Sequence, residues 1–115
     1  MRFFTQRQGE TSDNHGVGDG RVRIRFQFVG QVQAVGFRWN TNSLAREAGV
    51  TGWVRNEPDG SVVAEIQGAP ERIEAVVDGL DAYYNGSTWS DGFQIARREY
   101  LPIVPGETTF RTLFH

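Results

Sequence analysis

The chain has 115 residues and a formal net charge of −2, with 38% hydrophobic and 12% aromatic residues. This length supports one domain, and the negative balance provides no global basic field that would indicate a nucleic-acid partner. All 12 basic residues are arginine and cysteine is absent, which excludes Schiff-base, thiolate and disulfide chemistry and is consistent with a cytoplasmic location.

The only two histidines, His15 and His115, lie near the two ends of the chain. A Ser–His–Asp arrangement or a histidine metal cluster needs a histidine in the middle of the fold. We also find no clustered carboxylates with the spacing of a metal site. The sequence therefore predicts neither a metal nor a cofactor.

Residues 1–20 form a polar, glycine-containing segment without sustained periodicity. The apolar pair Phe3–Phe4 is far too short for a membrane span, so no membrane association is predicted. We expect a flexible, non-catalytic tail over 1–20, followed by one domain over 21–115.

The first predicted element is a strand over 21–28, in which hydrophobic and polar residues alternate with a period of two. Its arginines, Arg21, Arg23 and Arg25, share the face opposite the apolar residues. Because the total charge is negative, we interpret that face as solvated and not as a nucleic-acid stripe.

The remaining elements follow from helical spacing, alternation and turn residues. The predicted helices are 37–48 and one that opens at Pro70 and carries an apolar stripe through Leu80, and the predicted strands are 50–55, 61–67, 93–101 and 108–115. A polar loop containing Trp89 is predicted over 85–92. In the last strand, Phe110 and Phe114 share a face, and we place Trp53 in the core.

The resulting order is β-α-β-β-α-β with an added C-terminal strand. We therefore predict an α+β, ferredoxin-like sandwich with two helices on one face of a mainly antiparallel sheet. Because this fold hosts many unrelated functions, function must be argued from a site.

The first candidate site is the segment Gly30-Gln-Val-Gln-Ala-Val-Gly-Phe-Arg38, which leads from a strand into a helix. Helix N-termini bind anions through their N–H groups and dipole. A guanidinium in the first turn adds a planar fork that matches phosphate oxygens. An ordinary strand-to-helix turn with an exposed Arg38 is the alternative.

The second candidate is Gly52-Trp-Val-Arg-Asn56, followed by a turn and the strand that ends near Gly68. Asn56 falls at a strand end beside a tight turn. Asparagine is common at such positions for conformational reasons alone.

Taken together, the two segments resemble the two signatures of the acylphosphatase family, G-x-V-Q-G-V-x-F-R and G-W-V-x-N-x-x-x-G-x-V-x-x-x-x-x-G. The matching positions are Gly30, Val32, Gln33, Val35, Phe37, Arg38, Gly52, Trp53, Val54, Asn56, Gly60, Val62 and Gly68. The resemblance runs from about Arg21 to the C-terminus.

The resemblance implies metal-independent hydrolysis of an acyl phosphate, a small-molecule substrate. A monomer is expected as the default for a domain of this size. In this family, backbone N–H groups of the loop hold the phosphate, an arginine binds it, and an asparagine orients the attacking water. The phosphate-holding positions here are Gln33, Ala34, Val35, Gly36 and Phe37. The arginine corresponds to Arg38 and the asparagine to Asn56.

One departure from the family pattern is Ala34, where the family usually has glycine. If that position needs a positive φ, alanine strains the loop and lowers the activity; the alternative is a non-catalytic anion-binding or small-molecule-binding module on the same fold, its activity lost through Ala34. RNA binding on the sheet and an accessory domain of a larger maturation enzyme are further alternatives. Glu57 and Asp59 beside Asn56 are interpreted as turn residues, since two carboxylates would repel a phosphate dianion.

Overall fold

A computed structural model of the chain describes residues 19–33, 36–86 and 92–114. The strands are β1 Val22–Gly30, β2 Thr51–Asn56, β3 Val62–Gly68, β4 Phe93–Leu101 and β5 Phe110–Leu113, and the helices are α1 Phe37–Ala48 and α2 Pro70–Leu80. A single π-helical turn, Asp81–Asn85, continues α2. No helix within these ranges has the length and apolar character needed to cross a membrane.

The five strands form one sheet in the order β4-β1-β3-β2-β5. All neighbouring strands are antiparallel except β2 and β5, which run parallel. The two helices pack against each other and against this sheet. The predicted ferredoxin-like sandwich with an added strand is confirmed.

The core lies between the helices and the sheet. Alternate residues of β1, Ile24, Phe26 and Phe28, are almost fully buried, as the period-two pattern predicts. Phe28 also contacts the rings of Phe37 and Phe93, with centroids 5.1 and 5.5 Å apart. This aromatic contact fixes the start of α1 relative to β1 and β4.

The opposite face of β1 differs from its prediction at one position. Arg23 is only 2% exposed, whereas a solvated face was expected for all three arginines. Its guanidinium donates hydrogen bonds to Glu65 at 2.9 Å, Gln67 at 3.1 Å and Glu107 at 2.8 Å. Although burial opposes the charge, the hydrogen bonds that Arg23 donates to Glu107 and Glu65 raise its pKa.

Arg23 is buried because the segment between β4 and β5 crosses this face of the sheet. Gln67 donates to the Val104 carbonyl at 3.0 Å, and the Val104 N–H donates back to Gln67 at 2.8 Å. We call residues 102–109 the strap. It connects the edge strand β4 to β5 at the other edge.

Two aromatic predictions are wrong. Trp53 is only partly buried, because it pairs with Glu65 opposite the core face and lies under the Arg55 guanidinium, 4.9 Å from the ring centroid. Phe110 is buried, but β5 ends at Leu113, and Phe114, which was expected to share its face, is 76% exposed. The loop residue Trp89 and nearly all of the predicted tail lie outside the described residues.

Candidate active site

The loop between β1 and α1 is held by a buried apolar residue near each end. Val32 and Phe37 are each 1% exposed. The rings of Tyr84 and Phe93 lie 5.1 and 5.4 Å from the Phe37 ring. Val32 and Phe37 therefore anchor the two ends of the loop in the core.

Gly36 sets the direction in which the loop enters α1. It is the N-cap residue, with φ 74° and ψ 26°, and no side chain caps the helix there. This left-handed conformation is unfavourable for residues with a Cβ. The first turn of α1 contains no carboxylate, so the N–H groups and the positive dipole end of the helix remain directed at the loop.

Arg38 lies in that first turn and its guanidinium reaches β5. One terminal nitrogen donates to the Leu113 carbonyl at 3.0 Å. The Phe114 ring lies 4.6 Å from the guanidinium carbon, within the range of a cation–π contact. Arg38 is thus oriented by two contacts that leave part of its donor fork for an anion.

Asn56 is the last residue of β2, as predicted. At Gly52 the backbone of β2 lies so close to β3 that an added Cβ would come within 1.8 Å of the Glu65 carbonyl oxygen. That clash explains the glycine of the second motif. The Asn56 side chain is half-buried, and its amide oxygen is enclosed by the protein.

The side chain of Gln33 joins the loop to the turn that follows Asn56. Its amide nitrogen donates to the Glu57 carbonyl at 2.8 Å and to the Ser61 carbonyl at 2.9 Å. The sequence assigned only a backbone role to Gln33, so this side-chain link is new. It holds the loop against the residue next to Asn56.

Arg38 approaches Asn56 from the other direction. Leu113, which accepts its hydrogen bond, pairs with Arg55 across the β2–β5 contact. Asn56 is therefore flanked by Arg55, whose strand partner Leu113 is bonded to Arg38, and by Glu57, whose carbonyl is bonded to Gln33. The two motifs, 18 residues apart at Arg38 and Asn56, converge on one end of the sheet.

Most of the predicted phosphate-binding residues line one cleft of about 260 Å³. It is lined by Gln33, Gly36, Phe37, Arg38, Trp39, Thr112 and Phe114. Asn56 is not among these lining residues. Ala34 and Val35 lie outside the described residues, and the conformation of Ala34 is therefore not part of this geometry.

The neighbouring carboxylates are engaged in the turn, as the sequence suggested. Glu57 accepts a hydrogen bond from Arg55 at 2.6 Å. Asp59 accepts from the Ser61 hydroxyl at 2.6 Å and from its N–H at 2.9 Å, and these bonds lower the pKa of Asp59. Within 19–33, 36–86 and 92–114, no group of three or more histidine, aspartate or glutamate side chains could hold a metal ion.

Sequence reasoning missed the contribution of β5 to the site. The atom that contacts Arg38 is a backbone carbonyl, which carries no side-chain signal. Trp39 also lies at the cleft, with 72% of its surface exposed.

Comparisons with known proteins agree with this architecture. A model of the acylphosphatase family matches residues 20–91, well over half of the chain. A solved acylphosphatase from Bacillus subtilis superposes with a TM-score of 0.63 at 24% identity, covering 81% of this chain and 99% of that one. At that identity the likeness establishes the fold.

Two relatives are more similar in sequence. An acylphosphatase from Bifidobacterium longum is 42% identical over 83 residues, which are 72% of this chain and 81% of that protein. An acylphosphatase from Thermococcus kodakarensis is 56% identical over 57 residues, which are 50% of this chain and 63% of that protein. With the family match and the converging motifs, these relatives show that the chain belongs to the acylphosphatase family of enzymes.

Proposed function

We propose that this chain hydrolyses acyl phosphates to a carboxylate and inorganic phosphate without a metal ion. The phosphate is held by Arg38 and by the backbone N–H groups of the loop, Gln33 to Phe37, and Asn56 aligns the attacking water. The observation that carries the proposal is the convergence of Arg38 and Asn56 on one end of the sheet through Leu113 and Arg55.

The reaction needs little from the protein beyond positioning and charge. Water forms a bond to phosphorus while the bond between phosphorus and the acyl oxygen breaks, and the carboxylate leaves with that electron pair. A carboxylate is a good leaving group, so no general acid is required. The guanidinium of Arg38 and the N–H groups at the start of α1 stabilise the charge on the three equatorial oxygens.

Asn56 acts on the water through its amide oxygen. That oxygen is enclosed in the structure, so the side chain rotates about its broad terminal torsion to face the water when substrate is bound. An amide is not a strong base, and the proton of the water passes to a phosphate oxygen of the substrate. Asn56 therefore contributes alignment.

Turnover of benzoyl phosphate with a chelator present tests this proposal. Arg38→Ala and Asn56→Ala should each lower kcat by about 10²–10³. Arg111→Ala removes an exposed guanidinium from β5 and should leave kcat within about twofold. Loss of activity on adding chelator, or full activity in Arg38→Ala, would contradict the proposal.

Ala34→Gly tests the non-catalytic alternative in the same assay. If the wild type shows no turnover and Ala34→Gly does, the chain is a family member that has lost its activity through Ala34. A wild type that is active and is unchanged or accelerated by Ala34→Gly would support hydrolysis by the natural chain.

A further inference from the structure

We propose that Trp39 and Phe114 form a binding surface for the acyl group and make the enzyme selective for uncharged aromatic or bulky apolar acyl phosphates. This inference rests on the proposed function and adds the substrate class. The pair is defined here as the aromatic surface.

The two side chains are large, apolar and exposed next to the phosphate-binding residues. Trp39 is 72% and Phe114 76% exposed, and both line the cleft that also contains Arg38. Large aromatic rings left in water beside a charged anchor are typical of ligand sites, in which apolar walls surround a few polar groups. Neither ring belongs to the buried hydrophobic core.

The position of the aromatic surface agrees with the geometry of phosphoryl transfer. The attacking water and the leaving oxygen must lie roughly in line on opposite sides of phosphorus. Asn56, the proposed water-aligning residue, does not line the cleft, whereas Trp39 and Phe114 do. With phosphate at Arg38, the acyl group extends over the aromatic surface, and Asn56 aligns the water outside it.

The lining of the cleft indicates the charge of the acyl group. Apart from the proposed phosphate-binding residues, the described residues that line it are Trp39, Thr112 and Phe114. None of these three carries a charge that could pair with a second ionic group on the acyl chain. A charged acyl group would lose hydration there without gaining a partner of opposite charge, whereas an uncharged acyl group has no such cost.

The size of the cleft is compatible with an acyl group of about one ring. Its volume of about 260 Å³ lies just below the usual range of small-molecule sites, roughly 300–1,000 Å³. A phosphate with one aromatic ring fits that scale.

The first experiment compares kcat/KM for benzoyl phosphate and acetyl phosphate in wild type, Trp39→Ala and Trp39→Phe. Intrinsic reactivity cancels when each variant's benzoyl-to-acetyl ratio is divided by that of wild type. Loss of roughly 55 Å² of apolar contact should lower the ratio about tenfold in Trp39→Ala. Trp39→Phe should recover most of it. Tyr100→Ala, which removes an exposed aromatic residue of β4, should leave the ratio unchanged.

A second experiment measures binding without turnover. Calorimetry with phenylphosphonate and methylphosphonate should show tighter binding of the phenyl compound by wild type, and the preference should fall about tenfold in Trp39→Ala. Equal losses for both compounds, or no loss for either, would overturn the aromatic surface. If wild type hydrolyses neither acyl phosphate, the proposed function fails, and the phosphonate preference still decides whether the surface recognises an aryl group.

Discussion

Replacing Gly36 by alanine tests whether the loop must enter α1 through a left-handed residue. Gly36 has φ 74°, and an added Cβ would meet no heavy atom within 4 Å. The cost therefore comes from the backbone alone, about 1 kcal/mol. For a domain of this size that lowers Tm by roughly 4–8 °C.

Gly106→Ala is the matched control, because Gly106 has φ 81° and equally open surroundings in the strap. Both variants should lose the same stability in thermal unfolding followed by circular dichroism. Only Gly36→Ala should lose activity, by about tenfold to a hundredfold in kcat/KM for benzoyl phosphate, since relaxation of Gly36 turns the loop N–H groups and Arg38 away from the phosphate. Equal stability losses with full activity in both variants would refute the assigned role of Gly36.

Three further predictions concern side-chain contacts of the loop, of the strap and of the turn that follows Asn56. Gln33→Met removes both donations to the Glu57–Ser61 turn, and we expect a loss of about 1–2 kcal/mol in unfolding free energy and a lower kcat in steady-state kinetics. Arg23→Met removes the buried guanidinium that pairs with Glu65 and Glu107 and should cost about 3 kcal/mol in denaturant unfolding. Asp59→Asn should be less stable than wild type at pH 7, and the difference should vanish as pH falls below 3.8, because the lowered pKa of Asp59 stabilises the fold only while the carboxylate is ionised.

Controls separate these effects from general damage. Gln94→Met changes an exposed glutamine of β4 and should alter neither stability nor kcat. If it lowers kcat as much as Gln33→Met does, the role assigned to Gln33 is wrong. Arg25→Met removes an arginine from the same face as Arg23 whose side chain is 40% exposed and lies 3.8 Å from Glu65. It should cost well under 1 kcal/mol, and an equal loss in both variants would contradict the importance of burial. A stability difference for Asp59→Asn that persists unchanged at pH 2.5 would exclude ionisation as its cause.

The sheet and its helices could be predicted because the periodicities are local and strong. The alternation over β1 placed Ile24, Phe26 and Phe28 in the core, and the helical spacing of α1 gave the observed bounds. The end of β2 at Asn56 followed from the turn residues that come next. These features are encoded within a few neighbouring residues.

Contacts that depend on the strap could not be predicted. Nothing local in β1 distinguishes Arg23 from Arg25, and only the crossing of the strap buries the first. Trp53 was expected in the core, but it lies on the other face of β2 beside Arg55.

The part of the site formed by β5 could not be predicted either, because it depends on contacts between segments that are distant in the chain. The parallel pairing of β5 with β2 brings the Leu113 carbonyl to Arg38. That pairing joins segments far apart in the chain, and its functional atom belongs to the backbone.

The central claim is that water attacks the phosphorus atom of a substrate held by Arg38 and aligned by Asn56. Hydrolysis of benzoyl phosphate in ¹⁸O-enriched water, corrected for the reaction in buffer and analysed by mass spectrometry, tests it directly. The account predicts that the label appears in inorganic phosphate and that this enzyme-dependent labelling is lost in Arg38→Ala and Asn56→Ala. Label in benzoate would mean attack at the carbonyl carbon, which would contradict the account.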